Sequence, residues 1–140
     1  MGGSGGTVRF LGVDYGTSRT GLALSDPLGV TCRPFGILAE RDEERLIQGI
    51  LEAATVEQVG SIVVGLPRPL SGTTNRQMEM VLSFVKRLER EALVPVQTWD
   101  ERFTSSLAQK GRTRKKPQDA VAACYMLQSF LDTLTTTGGD

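Results

Sequence analysis

Five short apolar runs, and the way they are spaced, limit what this chain can fold into. Val8–Asp14 and Arg19–Ser25 are separated only by Tyr15-Gly16-Thr17-Ser18, which is turn chemistry. A third and weaker run, Gly29–Ile37, is interrupted by Pro34. Strands joined this tightly pair antiparallel, because a parallel pair needs a long crossover. The last two runs, Ser61–Leu66 and Val94–Trp99, each follow a segment of helical period. In Asp42–Ala54 the apolar positions are Leu46, Ile47, Ile50, Leu51 and Ala54, behind an acidic first turn of Asp42, Glu43 and Glu44 that the helix dipole favours. In Asn75–Glu91 they are Met78, Val81, Leu82, Val85 and Leu88. Phe103–Gln109 reads as a short helix. Gln118–Leu134 reads as a last one, with Ala120, Ala123, Cys124, Leu127, Phe130, Leu131 and Leu134 facing inward. The expected class is α/β: a mixed five-stranded sheet, its first three strands antiparallel and its later ones parallel, with helices on both faces. A chain of 140 residues is one domain, expected over 7–134. Met1–Gly6 reads as a flexible tail and 135–140 as a frayed one.

Composition then removes chemistries. The chain has no histidine, which excludes Ser-His-Asp and Cys-His nucleophile systems and every His-containing zinc site. Its two cysteines, Cys32 and Cys124, are too few for a Cys-based zinc or iron–sulfur site within one chain. They sit in apolar sequence and read as reduced core thiols, with a disulfide between them as the alternative. No apolar run approaches the ~20 residues of a membrane span, and Met1–Phe10 has neither the charged region nor the apolar core of a secretory signal. Any catalysis must therefore use carboxylates, lysines, hydroxyls, or a metal held by oxygen.

Three acids occupy matching positions in the expected topology. Asp14 ends the first strand, Glu101 (with Asp100 beside it) follows the strand ending at Trp99, and Asp119 opens the last helix. Taken singly, each has an ordinary use: Asp14 as a turn residue, Asp119 as a helix cap, Glu101 as a surface partner of Arg102 or Lys110. Taken together, they fall at one end of the sheet, where α/β proteins collect ligands. Clustered carboxylates repel unless a cation compensates, and oxygen ligands without His or Cys suit Mg²⁺ or Mn²⁺. Ions held this way serve phosphodiester hydrolysis. Charge elsewhere fits an anionic partner. The 16 basic and 16 acidic residues balance, yet Arg102, Lys110, Arg112, Arg114, Lys115 and Lys116 form a stretch without an acid. Such a stretch serves either as a solvated loop or as a phosphate contact. Ser71, Thr73 and Thr74 precede a helix start, where hydroxyls and backbone N–H groups either cap the helix or meet an anion. Arg19 lies five residues after Asp14, in reach of a phosphate or of the carboxylates.

Four blocks in this order, GVDYGTSRTGLALSD (Gly12–Asp26), VVGLPRPLSGT (Val63–Thr73), DERFTS (Asp100–Ser105) and DAVAACYMLQSFL (Asp119–Leu131), resemble the YqgF/RuvX family. Pre-16S rRNA processing and Holliday junction resolution are both attributed to these bacterial proteins. The resemblance runs from about Val8 to Leu134. It implies an RNase H-like fold, Asp14, Glu101 and Asp119 as catalytic metal ligands, Mg²⁺ or Mn²⁺ as cofactor, and a cytoplasmic setting. Where the family often carries a longer loop, the segment between Thr104 and Asp119 is short and strongly basic. The leading expectation is thus a metal-dependent nuclease acting on structured nucleic acid, with maturation of the pre-16S rRNA 5′ end ahead of junction resolution. A two-fold junction would suit a homodimer. An ATP-binding protein of the actin or sugar-kinase type is disfavoured, because those proteins close two domains over the nucleotide. A non-catalytic nucleic-acid binder is disfavoured because unneutralised carboxylates repel phosphate.

Overall fold

The structure is a computed structural model; it describes residues 8–67, 75–103 and 120–138, the last four of these by backbone alone. The strands are β1 (Phe10–Asp14), β2 (Thr20–Ser25), β3 (Cys32–Leu38), β4 (Ser61–Leu66) and β5 (Val96–Asp100). The helices are α1 (Glu43–Val56), α2 (Arg76–Glu91) and α3 (Ala120–Gly138), and a 3₁₀ turn covers Glu101–Phe103. The sheet order is β3-β2-β1-β4-β5. β1 pairs antiparallel with β2, and β2 with β3, while β1–β4 and β4–β5 are parallel. The expected mixed topology is what forms.

Local chemistry explains the elements. β1 and β4 are buried along their whole length, as parallel strands covered on both faces must be. β3 is an edge strand and tolerates Pro34 there, where its register against β2 shifts between Leu22 and Ala23. It starts at Cys32, not Gly29, because Asp26 closes the preceding turn. Asp26 Oδ1 accepts from the N–H groups of Val30 (2.8 Å) and Thr31 (3.3 Å). These bonds, Val30 first, hold the Asp26 carboxyl below its ordinary pKa. Asp42 caps α1 by accepting from Arg45 N at 3.2 Å, and Asn75 caps α2 by accepting from Met78 N at 2.8 Å.

Two cores flank the sheet. On one face α1 and α2 bury Leu46, Ile47, Ile50, Phe84 and Leu88 against Leu11, Val13, Ile62 and Val64. On the other, α3 buries Ala123, Met126, Leu127, Phe130 and Leu131 against Phe10, Ala23 and Val63. Helix phase departs from the sequence reading at four residues. Leu82 and Leu134 are exposed, whereas Phe84 and Met126 are buried. The α2 stripe advances by three- and four-residue steps through Met78, Val81, Phe84, Val85 and Leu88, leaving Leu82 outside it. α3 continues to Gly138 instead of ending at Leu134, because threonines lower helix propensity but do not stop a nucleated helix, whereas glycine does. Of the short helix expected at Phe103–Gln109, Phe103 lies in the 3₁₀ turn and 104–109 fall outside the described residues.

Cys32 at the start of β3 and Cys124 in α3 are free thiols, their Sγ atoms 3.4 Å apart. Burial, and then the hydrogen-bonded Cys124 thiol, push the Cys32 thiol well above its ordinary range. No helix among the described residues is long and apolar enough to cross a membrane.

The α3 core sets a contrast between two leucines on one helix. Leu127 is fully buried and Leu134 is 41% exposed. Leu127→Ala should cost ~2–5 kcal/mol in denaturant unfolding, and Leu134→Ala less than ~0.5 kcal/mol.

Candidate active site

Residues of β1 alternate between the two faces. Leu11 and Val13 belong to the α1/α2 core, while Phe10 belongs to the α3 core. Gly12 also faces α3, since a Cβ there would stand 3.0 Å from Leu127 Cβ. Asp14, two residues on, shares that face at the carboxyl end of β1, and it is only 3% exposed. The neighbouring strand is in register, Val13 beside Val64, so Gly65 follows on β4 where Asp14 follows on β1.

Gly65 is where Glu101 enters. A Cβ at Gly65 would lie 2.5 Å from Glu101 Oε2 and 3.2 Å from Met126 Cγ. The carboxylate of Glu101 therefore rests over the carboxyl end of β4, on the α3 face, in space that any side chain at 65 would take. Going back along β1 from Gly12 to Phe10 passes forward along α3 from Leu127 to Phe130, whose ring centroid is 5.3 Å from that of Phe10. β1 and α3 thus run in opposite senses, and α3 begins toward the end of the sheet that carries Asp14. Asp119, the residue before Ala120, lies outside the described residues. Among the described residues no three acids or thiols group to hold a metal. Asp14 and Glu101 lie on one face toward one end of the sheet and offer oxygen donors alone, which match a hard divalent cation.

The remaining expected residues sort plainly. Arg19 is exposed in the turn between β1 and β2. That turn is closed by Thr20 Oγ1, which accepts from Gly16 N at 3.2 Å. Arg102 does not pair with Glu101. Its guanidinium donates to Asp100 from Nε (3.2 Å) and Nη2 (2.9 Å), and its backbone N–H donates to Asp100 Oδ1 at 2.9 Å. Asp100 thus answers the charge of Arg102. Ser71, Thr73, Thr74, Lys110, Arg112, Arg114, Lys115 and Lys116 lie outside the described residues.

Two features of the site escaped the sequence reading. One is Gly65 as the seat of Glu101, although an isolated glycine closing an apolar strand is itself a signal of close approach. The other is Tyr15. It stacks on Phe84 with centroids 4.2 Å apart, and the charge of Glu43 bears on its phenol. Arg87 joins Glu43 at 2.6 Å and Glu44 at 3.0 Å. Burial, then the Glu43 charge, raise the Tyr15 phenol above its ordinary value of 10.0.

Comparisons with known proteins give the family and the fold. Residues 8–133 match the family model described as "RuvX: Holliday junction resolvase". A Clostridium acetobutylicum protein named "Putative pre-16S rRNA nuclease" is 37% identical over 135 residues, covering 91% of this chain and 100% of that protein. A Desulforamulus reducens protein of the same name is 37% identical over 138 residues, covering 89% of this chain and 97% of that one. Among solved structures, Thermus thermophilus RuvC in complex with a Holliday junction substrate superposes with a TM-score of 0.63 at 15% identity, covering 93% of this chain and 97% of that one. The fowlpox virus resolvase bound to Holliday junction DNA gives 0.54 at 12%, covering 90% and 98%. At these identities the structural likeness carries the fold, which is RNase H-like.

The Tyr15 contacts give a titration. With Tyr125→Phe leaving Tyr15 the sole tyrosine, phenolate absorbance should rise with a midpoint above 10.0, and Glu43→Gln should lower that midpoint without restoring 10.0, since burial is the larger cause. The fold favours the protonated phenol, so this stabilisation is complete below the unfolded pKa and is lost as pH rises through the folded one.

Proposed function

Since the chain belongs to the RuvX family, we propose that it is a divalent-metal-dependent nuclease that hydrolyses phosphodiester bonds in structured nucleic acid, maturing the 5′ end of pre-16S rRNA in the cytoplasm. One observation carries the chemistry: Asp14 closes β1, and the carboxylate of Glu101, which follows β5, reaches across to Gly65 of the intervening β4 on the same face, where the glycine leaves it room. Asp119, adjoining the first residue of α3, is the third acid of the proposed set. The rRNA substrate is supported by relatives 37% identical over nearly their full length. A second reading, junction resolution, is favoured by the family description and would require a homodimer to cut both strands.

Asp14, Glu101 and Asp119 would hold Mg²⁺ or Mn²⁺ through oxygen alone. An ion there supplies Lewis acidity for attack by water and for departure of the leaving oxygen. The chain's own residues do the rest. The carboxylates fix the position of positive charge at the sheet end, and without it they repel the phosphate. Arg19, exposed beyond β1, meets the backbone on one side. Lys110, Arg112, Arg114, Lys115 and Lys116 lie in sequence between two site acids, Glu101 and Asp119, and are assigned to sequence-independent phosphate contacts. Arg102 contributes less, since Asp100 engages it. Ser71, Thr73 and Thr74 supply hydroxyls before α2.

The decisive assay is cleavage by purified protein with Mn²⁺, comparing precursor rRNA with four-way DNA junctions. Shortening of the precursor at its 5′ end is expected. Junction cleavage alone would favour the second reading, and cleavage of neither would refute the nuclease. Asp14→Asn and Glu101→Gln, both nearly isosteric, should each lower cleavage by more than ~100-fold, beyond what losing a group that only orients a metal ligand costs. Their circular dichroism should not change, and metal-free binding should hold or improve as repulsion of phosphate falls. The triple change Arg112→Ala, Arg114→Ala, Lys115→Ala should flatten the log–log salt dependence of binding by ~0.7–0.9 for each phosphate that is no longer neutralised. An unchanged slope would return the segment to a solvated loop.

A further inference from the structure

The 3₁₀ turn that presents Glu101 also presents an aromatic ring to solvent. Phe103 is 63% exposed, although it is part of a chain of aromatic contacts that reaches the core. Its ring meets Trp99 edge-on at 5.7 Å and 61°. Trp99 meets Phe130 at 5.7 Å and 75°, and Phe130 meets Phe10 at 5.3 Å and 69°. Such edge-to-face pairs hold rings at defined angles. Phe103 is therefore oriented before any ligand arrives, and little entropy remains to be lost when something stacks on it. An exposed apolar side chain alone says nothing. What distinguishes this one is its anchoring and its place beside a candidate catalytic carboxylate. Among the described residues it is also a single ring bordered by the charged pair Asp100–Arg102, too small for a protein-docking patch.

We infer that Phe103 is a stacking platform for an unpaired nucleobase next to the scissile phosphate. The inference rests on the nuclease reading and adds a selector to it. Two residues of chain span at most ~7 Å, so Phe103 stands within that distance of Glu101 along the backbone. The base on Phe103 is therefore assigned to a nucleotide near the phosphate at the carboxylates. A base inside an intact duplex has both faces covered by its neighbours and cannot stack on a protein ring. A base in a single-stranded or splayed segment can, and it does so with little regard to sequence. Phe103 thereby directs the acids to phosphates flanked by unpaired bases, which a polyanion-binding surface alone would not distinguish from duplex.

The chain contains one tryptophan, and it is Trp99, in contact with Phe103. Its fluorescence reports the platform directly. The test measures metal-free binding, in EDTA, of a labelled RNA hairpin with a single-stranded 5′ extension and of a twin whose extension is abasic. The wild-type chain should bind the intact probe roughly 5- to 100-fold more tightly than the twin, the range that loss of one base–aromatic stack produces. The intact probe should also quench Trp99 more at saturation. Phe103→Ala should bind both probes equally, Phe103→Tyr should keep the preference, and Phe103→Leu should lose most of it. Equal wild-type affinity and equal quenching for the two probes, or an undiminished preference in Phe103→Ala, would overturn the platform while leaving the nuclease intact. Failure of the wild type to bind either probe at low salt would overturn both. The wild-type comparison needs no variant, so the outcome does not depend on how Phe103→Ala folds.

Discussion

The packing of α3 on the glycines of the sheet is what the site depends on. At Gly12 the space where a Cβ would stand is 3.0 Å from Leu127 Cβ, and at Gly65 it is taken by Glu101 Oε2 and Met126 Cγ. The helix rides directly on backbone at these two positions, and a larger residue at either would lift it. The opposite senses of β1 and α3 then turn the start of the helix toward Asp14. The same absence of side chains that permits close packing leaves the opening in which Glu101 lies. Packing and chemistry are therefore not separable here, and substitutions at residue 65 should act on both.

Topology decides which face of the sheet carries this arrangement. The step from β3 through α1 to β4 and the step from β4 through α2 to β5 both move across the sheet in the same direction. Crossovers between parallel strands are right-handed, so both helices fall on one face. That face becomes the larger core, with seventeen buried residues. The other is left to α3, which arrives last in the chain and covers β1, β2 and β3 more than the ends of β4 and β5. The carboxyl ends of β1, β4 and β5 point the same way.

Much of this was legible in the sequence, for a specific physical reason. Strand pairing follows from connection length, and the helix faces follow from period, both of which are local. Asp14 was legible because an acid closing an otherwise apolar strand is unusual, and Glu101 because it follows another strand. The failures come where tertiary contacts decide. Leu82 and Phe84 compete for one stripe on α2, and the ring wins because it stacks under Tyr15. Leu134 keeps the helical phase but has run past the sheet. Arg102 carries a charge suited to phosphate, yet Asp100 two residues away holds its fork in a geometry that no composition count contains. Gly65 reads as an ordinary glycine until the chain returns with Glu101 to occupy its empty side.

Asp14 and Tyr15 show how the sheet end is held. Successive strand residues point to opposite faces, so Asp14 turns toward α3 while Tyr15 turns toward α2. The ring of Tyr15 lies against Phe84, itself fully buried, and its hydroxyl feels the charge of Glu43 at the start of α1. Arg87 of α2 ties Glu43 and Glu44 together, so three elements converge on the residue after Asp14. Exposed ion pairs of this kind contribute little stability by themselves. What bears on the site is the ring: its stack on Phe84 ties residue 15 to the larger core, and the backbone of residue 15 limits where the carboxylate of residue 14 can be. A carboxylate proposed to share a small cation with Glu101 would have little tolerance for displacement, because oxygen-to-metal distances are short and fixed. The large core on the far face thus acts on the site through one peptide unit.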